Sequence, residues 1–462
     1  MNPVIPSETP PSALVVGAGI AGIQAALDLA EAGVNVTLVE QGDSIGGRMA
    51  QLDKTFPTLD CSSCTLTPRT AEAGSHPRIR LITRAEVVSL EAQDGGFRAR
   101  VRVRPRYVDP EACVACGKCS EACRLRGRVP REFDLGLGRG SAIGVPFPQA
   151  VPATYAVDPA RCLHLTRGKC GDGPRCAEAC DVGAVRLDET ERVEEVAVGA
   201  VVVATGWSPY RPDDPETGRP ELGFGRYPEV VTNLQFERLC SASGPTQGKI
   251  RVPGAEGSPR RVAFLQCVGS RDRTTGAAYC SRVCCMASLK QAVLVREKLP
   301  EAEVTVLYMD LRAFGKGYEE FLERAQRLGV VLRRGNPSEL YRKGDALAVR
   351  FEDTLLGTAQ ELAADLVVLA GGLRPTPDLP ESARVLGVDV AEDGFLACPD
   401  PRDPVLSTRT GVFLAGACRG PLDIPDAVAS GSAAAAAALG HLLGAGAEPG
   451  RAPPPSDERQ AS

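Results

Sequence analysis

The sequence predicts an α/β fold of two Rossmann-like domains, the first interrupted by a cysteine-rich insert. Three observations carry this reading. A Gly17-x-Gly19-x-x-Gly22 turn joins an apolar run to a helix-like stretch. A second α/β pattern begins near Arg260. Between them, residues 107–185 are rich in Cys, Gly, Pro and Arg with little periodicity, which suits a segment held by metal rather than by a large core.

Taken in order, residues 14–16 and 36–39 are short apolar runs that read as strands, and 20–32 has helical composition. After the insert, 200–204 reads as a strand running into Thr205-Gly206, and 207–255 as a Pro/Gly-rich connection. The second pattern runs strand 262–266, helix 281–298, strand 304–308, helix 318–328 and strand 330–333. Strand 366–370 enters Gly371-Gly372, and 411–415 leads into Gly416 before an Ala-rich helix at 426–442. The domain reading follows. A first, nucleotide-binding domain is assembled from 12–105, 191–255 (with linker) and 366–445, the insert is 106–190, the second Rossmann-like domain is 256–365, and 446–462 is a disordered tail.

A chain of 462 residues allows roughly two to three domains. With 53 basic and 58 acidic residues the net charge is −5, so charge supports neither nucleic-acid nor membrane-surface binding. No apolar run is long enough to span a bilayer. The polar, Pro-rich first eleven residues lack the features of a signal peptide, so a cytoplasmic location is expected. Cysteine is the outlier: 17 residues, many tightly clustered, suit a reducing compartment and bound metal better than disulfides.

The glycines of the first turn permit close approach of a pyrophosphate, whose charge sits on the helix N-terminus; Glu40, 18 residues after Gly22, is placed for ribose hydroxyls. A glycine turn alone is weak, and a degenerate Rossmann fold without cofactor is its bland alternative. Gly46-Gly47-Arg48, Thr205-Gly206 and Gly416 with Asp426 strengthen it. Their order resembles the two-dinucleotide-domain flavoproteins, the thioredoxin-reductase-like class, which implies FAD.

Cys113, Cys116, Cys119 and Cys123 have the spacing of a bacterial ferredoxin run, in which three thiolates hold one 4Fe–4S cluster and the fourth holds the other. Cys162, Cys170, Cys176 and Cys180 keep the last gap but stretch the first two. The exchange pattern groups Cys113, Cys116, Cys119 with Cys180, and Cys162, Cys170, Cys176 with Cys123. Arg124 and Asp181 stand where proline would follow the fourth cysteine, and zinc is the main alternative occupant. His164 reads as a solvated loop residue. In the second Rossmann pattern, strand 262–266 runs into Cys267-Val268-Gly269-Ser270 instead of a glycine turn. Cys280, Cys284 and Cys285 follow; on a helix the first two share a face and the third lies about 100° round, so four sulfurs can converge. Buried thiols or a redox disulfide are the alternative.

Residues 46–58 (GGRMAQLDKTFPT) with Asp60-Cys61-Ser62-Ser63-Cys64, the stretch 266–272 (QCVGSRD), 279–286 (YCSRVCCM) and 420–426 (GPLDIPD) resemble the flavin subunit of heterodisulfide reductase, the HdrA family, over about residues 12–440. The resemblance implies FAD, a two-cluster ferredoxin-like insert and a third 4Fe–4S cluster on Cys267, Cys280, Cys284 and Cys285. It also implies partner oxidoreductase subunits (HdrB/HdrC-like or Qmo-like), membrane association only through such subunits, and a homodimer within the complex. The longest family members have additional N- and C-terminal domains, so the sequence is more similar to short relatives: the HdrA-like component of the quinone-interacting Qmo complex and Hdr-like proteins of sulfur oxidisers. Leu422 stands where the family pattern has lysine, which argues against flavin-based bifurcation. Cys61 and Cys64 read equally as a dithiol near the flavin or as structure, and Cys240, Cys398 and Cys418 as small buried hydrophobes. Two other functions compete with an electron-relay role. One is a self-sufficient NAD(P)H-dependent reductase similar to the glutamate synthase small subunit; the other is a zinc-bound scaffold on a vestigial Rossmann fold.

Overall fold

The computed structural model describes residues 11–255 and 257–444; the expectations for 1–10 and for the tail at 446–462 lie outside them. The first unit is built on a five-stranded parallel sheet in the order Val412–Leu414, Ala200–Val203, Ser12–Val16, Asn35–Val39, Ile79–Ile82. Val15 lies beside Leu38 on one side and Val202 on the other. These runs are apolar without alternation because both faces of a parallel sheet are covered, and Leu14, Val15 and Ala200 to Val203 have no exposed surface. Helices Ile20–Glu31 and Ile424–Leu442 pack into the same core through small residues such as Ala25, Ala26, Ala434 and Ala438. They approach so closely that a Cβ on Gly431 would lie 2.4 Å from the Ala21 carbonyl.

A three-stranded antiparallel layer, Ala85–Gln93, Gly96–Val103 and Arg192–Val198, was not legible in the sequence. Its third strand returns only after the insert, so its pairing is long-range. The insert itself holds strand pairs of two residues per strand and three short helices, Lys118–Ala122, Leu163–Arg167 and Arg175–Glu178. Its core is small: Val108, Val129, Ala142, Ile143, Val157 and Ala184, with Cys119 and Cys162 among them.

The second unit carries a seven-stranded sheet. Val230–Thr232, Leu366–Gly371, Arg261–Val268, Glu303–Tyr308 and Val330–Lys343 run parallel, and Ala346–Asp353 and Thr358–Ala364 extend it antiparallel. The expected plain connection at 207–255 is therefore corrected. It contains the edge strand Val230–Thr232 and helix Asn233–Cys240, started by a reciprocal capping box between Thr232 and Gln235. That Thr-x-x-Gln signature is a helix-start signal readable in the sequence. Among the described residues no helix is long and apolar enough to cross a membrane.

Helix Asn233–Cys240 also locks the insert to the second unit. Arg238 Nε donates to Asp134 Oδ1 at 3.0 Å, with side chains only 1% and 2% exposed, and the guanidinium lies over the Phe133 ring, itself stacked on Phe147. Beside it, Glu237 accepts from the buried Lys290 ammonium and Gln291 amide and from the backbone N–H of half-buried Asp53.

Candidate cofactor cleft and cysteine clusters

A cleft of about 1970 Å³ runs between the two units and along the insert. Drug-sized ligands occupy pockets of roughly 300–1,000 Å³, so this one has room for an extended dinucleotide. Gly17, Gly19, Glu40, Gly47, Arg48, Thr205, Gly206 and Gly416 line it; Gly22, Gly46 and Asp426 do not.

The three glycines of the first turn divide the work. Gly17 has φ +99°, and a Cβ there would sit 2.4 Å from the Ala204 carbonyl, so the turn and the strand behind it require glycine. A Cβ on Gly22 would meet the Gly17 carbonyl at 1.9 Å, the mark of tight helix–strand packing. A Cβ on Gly19 meets nothing within 4 Å, because Gly19 caps helix Ile20–Glu31 on the cleft side. That open cradle at a helix N-terminus fits a pyrophosphate. Gly47 backs onto Gly19, and Gly46, at φ +119°, makes the turn that brings it there.

Glu40 follows strand Asn35–Val39 and accepts from the Ala18 N–H at 2.8 Å and the Gly42 N–H at 2.7 Å. Burial nonetheless raises its pKa, the hydrogen bonds opposing that shift. Arg48 is also desolvated, which lowers its pKa; it stands over Trp207 and makes one side-chain hydrogen bond, to Gln51 at 3.1 Å. A desolvated guanidinium on the cleft wall suits an anionic ligand. Asp426 is placed differently from its expected role. It pairs with Arg282 of the second unit, while Asp423 caps helix Ile424–Leu442, lines the cleft and accepts from the Tyr318 hydroxyl at 2.7 Å.

In the insert the thiols fall into two neighbouring groups. Burial first pushes Cys119 up to about 12, and Cys113, Cys176 and Cys180 add to it. Tyr155 is raised by burial and then by Cys119, Cys116 and Cys113. Cys176 rises to about 11, first from burial, then from Cys162 and Cys123, with Cys170 adding less. Cys180 thus lies near Cys119, Cys123 lies near Cys176, and Cys176 is felt by both groups. Among the described residues no three His, Cys, Asp or Glu side chains are drawn together tightly enough to hold a metal ion.

The third set differs from its expected geometry at one residue. The helix is Cys284–Lys298, so Cys280 lies in the loop before it and not on its face. Arg282 has φ +65°, a left-handed conformation that an α-helix does not contain. Cys267 also has φ +58°, at a register shift between Leu265 and Val268 that turns the strand end. The four thiols still lie near enough to raise one another's pKa values. Burial leads in raising Cys284, followed by Cys285, Cys267 and Cys280, and Cys267 is pushed to about 11 by burial and then by Cys285. Two of the four stand on the first turn of a helix, whose dipole favours thiolate.

Cys61 caps helix Ser62–Ser75, its sulfur accepting from the Cys64 N–H at 3.3 Å; neither cysteine lines the cleft. Cys240 and Cys418 are buried as expected, but Cys398 is only partly so, its thiol donating to the Asp400 carbonyl at 3.0 Å. The buried charged residues Arg238, Glu237 and Lys290 were missed, since nothing local in the sequence marks a charge for burial.

A family model described as NAD(P)-binding Rossmann-like domain matches residues 15–79, and one described as pyridine nucleotide-disulphide oxidoreductase matches 175–438. The chain belongs to the pyridine nucleotide-disulphide oxidoreductases, with their two-Rossmann flavoprotein fold. The thioredoxin reductases of T. acidophilum and Lactococcus lactis share that fold at 14% identity, with TM-scores of 0.50 and 0.51, over 93% and 94% of this chain and 98% and 99% of theirs. Its sequence relatives are heterodisulfide reductase components of the HdrA type. It is 47% identical to the HdrA-type component of the H(2):CoB-CoM heterodisulfide,ferredoxin reductase of Methanothermobacter marburgensis, over 92% of this chain and 63% of that one. It is 48% identical to an iron-sulfur HdrA-type component of the CoB–CoM heterodisulfide reductase of Methanopyrus kandleri, over 93% and 64%. The chain thus spans less than two thirds of the length of these relatives.

Proposed function

We propose that this chain is an FAD- and iron–sulfur-containing electron-transfer subunit of a heterodisulfide-reductase-like complex, with three 4Fe–4S clusters and with other oxidoreductase subunits for partners. The observation that carries it is the cleft. It is lined by the open Gly19 cradle, Arg48 and Thr205 and by Ala287, Lys290 and Gln291 of helix Cys284–Lys298, the helix that starts with two of the third cysteine set where a second glycine turn would otherwise stand. FAD would lie on Gly17, Gly19, Glu40, Arg48, Thr205, Gly206 and Gly416. The clusters would take Cys113, Cys116, Cys119 and Cys180; Cys123, Cys162, Cys170 and Cys176; and Cys267, Cys280, Cys284 and Cys285. FAD supplies conversion between two-electron and one-electron transfer when bound. The protein's part is to hold the pyrophosphate on a helix N-terminus, balance its charge with Arg48 and set a cysteine group behind the helix that walls the cleft. Each relative is named as one component of a multi-subunit reductase, which supports the expectation of partners.

Anaerobic purification followed by flavin and iron determination tests the proposal: one FAD and about twelve iron atoms, four for each cubane, are expected. Eight iron atoms after full reconstitution would remove the third cluster. Rapid bleaching of the flavin by NADH or NADPH would favour the self-sufficient reductase instead.

A further inference from the structure

We infer that Gln266 and Ser288 are positioning residues for the third cysteine set, donating hydrogen bonds toward the sulfide of the cluster held there and raising its reduction potential. The inference rests on the cluster assignment proposed above for Cys267, Cys280, Cys284 and Cys285.

Gln266 is 3% exposed, and neither its amide nitrogen nor its amide oxygen has a hydrogen-bond partner. Ser288 is fully buried and its hydroxyl is likewise unpartnered. Buried polar groups are nearly always paired, so two such side chains on adjoining elements point to a partner outside the polypeptide.

Their positions name that partner. Gln266 immediately precedes Cys267 at the C-terminal end of strand Arg261–Val268. Strand side chains alternate, and Val262 and Phe264 pack in one core with Met286 and Leu289 of helix Cys284–Lys298. Gln266 is in step with them, on the helix side. Ser288 stands one turn beyond Cys284 on that helix. Side chains on a helix lean toward its N-terminus, which carries the Ser288 hydroxyl over the turn of Cys284. Both groups therefore face the junction of strand end and helix start that carries the thiols, where the neighbouring buried hydroxyls of Ser270 and Ser281 are already bonded to each other. An amide N–H or hydroxyl aimed at cluster sulfur stabilises the more negative, reduced form and raises its potential.

The test is an EPR-monitored redox titration of the holoprotein, wild type against Gln266→Met and Ser288→Ala, with flavin and iron content measured alongside. The expected result is a downward shift in the midpoint of the third cluster in each variant, with the two insert clusters unmoved. In Gln266→Met, pulsed EPR in deuterated buffer should also lose an exchangeable-deuteron coupling present in wild type. Full cluster content with an unchanged midpoint and an unchanged deuteron coupling in both variants would overturn the inference. A wild-type protein lacking the third signal would instead overturn the cluster assignment beneath it.

Discussion

The residues that define the cleft make opposite demands on a substitution. Because a Cβ on Gly19 enters open space, Gly19→Val should leave the fold and the iron content intact while abolishing flavin binding. Stoichiometric flavin in that variant would refute the placement. Gly22→Ala should behave in reverse, since its Cβ would lie 1.9 Å from the Gly17 carbonyl: flavin is retained at low temperature, and stability falls by about 1–3 kcal/mol in urea denaturation. Cys418 sets a pH dependence. Its thiol is buried, donates to the Val203 and Ala415 carbonyls at 3.3 Å, and is pushed by burial to about 11. An unfolded thiol titrates near about 8.5. The folded pKa is the higher one, so the stabilisation is complete below the unfolded value and is lost as pH rises through about 11. Cys418→Ala should therefore flatten the fall of the urea midpoint over that alkaline range; equally steep falls in both proteins would contradict this.

Among the elements, helix Asn233–Cys240 bears a burden out of proportion to its length. Through Arg238 it holds the insert, and through Glu237 it holds Lys290 and the backbone of Asp53. Breaking a buried pair leaves an uncompensated charge, so Asp134→Leu should cost about 3–5 kcal/mol. Joining it to Arg238→Met, which removes both charges, should recover much of that loss. A double variant as unstable as the single one would mean that the pair acts through shape and not charge. Helix Ile424–Leu442 makes a second tie, with Asp423 and Asp426 reaching Tyr318 and Arg282 of the other unit. That pair of contacts joins the loop of the third cysteine set to the cleft wall.

The molecule is unequal in what holds it together. The two Rossmann-like units have broad cores of fully buried aliphatic residues, whereas the insert packs only a few small side chains around its cysteines. If the insert draws its stability from clusters, stripping the iron should release it first. Limited proteolysis of chelated protein should then cut within 106–190 while 12–103 and 261–371 remain protected. Uniform resistance throughout would show that the insert folds on its own core.

What the sequence determined by itself was local. Glycine spacing marked the first turn, cysteine spacing grouped the thiols, and apolar runs marked most parallel strands, because each of these signals lies within a few neighbouring residues. Tertiary structure decided what depends on segments far apart. It paired Arg192–Val198 with strands before the insert, and it turned Asp426 from the cleft toward Arg282. It took Cys280 off the helix: Arg282 is left-handed, and Ser281 beside it accepts from the backbone N–H of the distant Leu373. It also buried Arg238, Glu237 and Lys290. A charge enters the interior only when a distant partner meets it there, and spacing along the chain carries no record of that meeting.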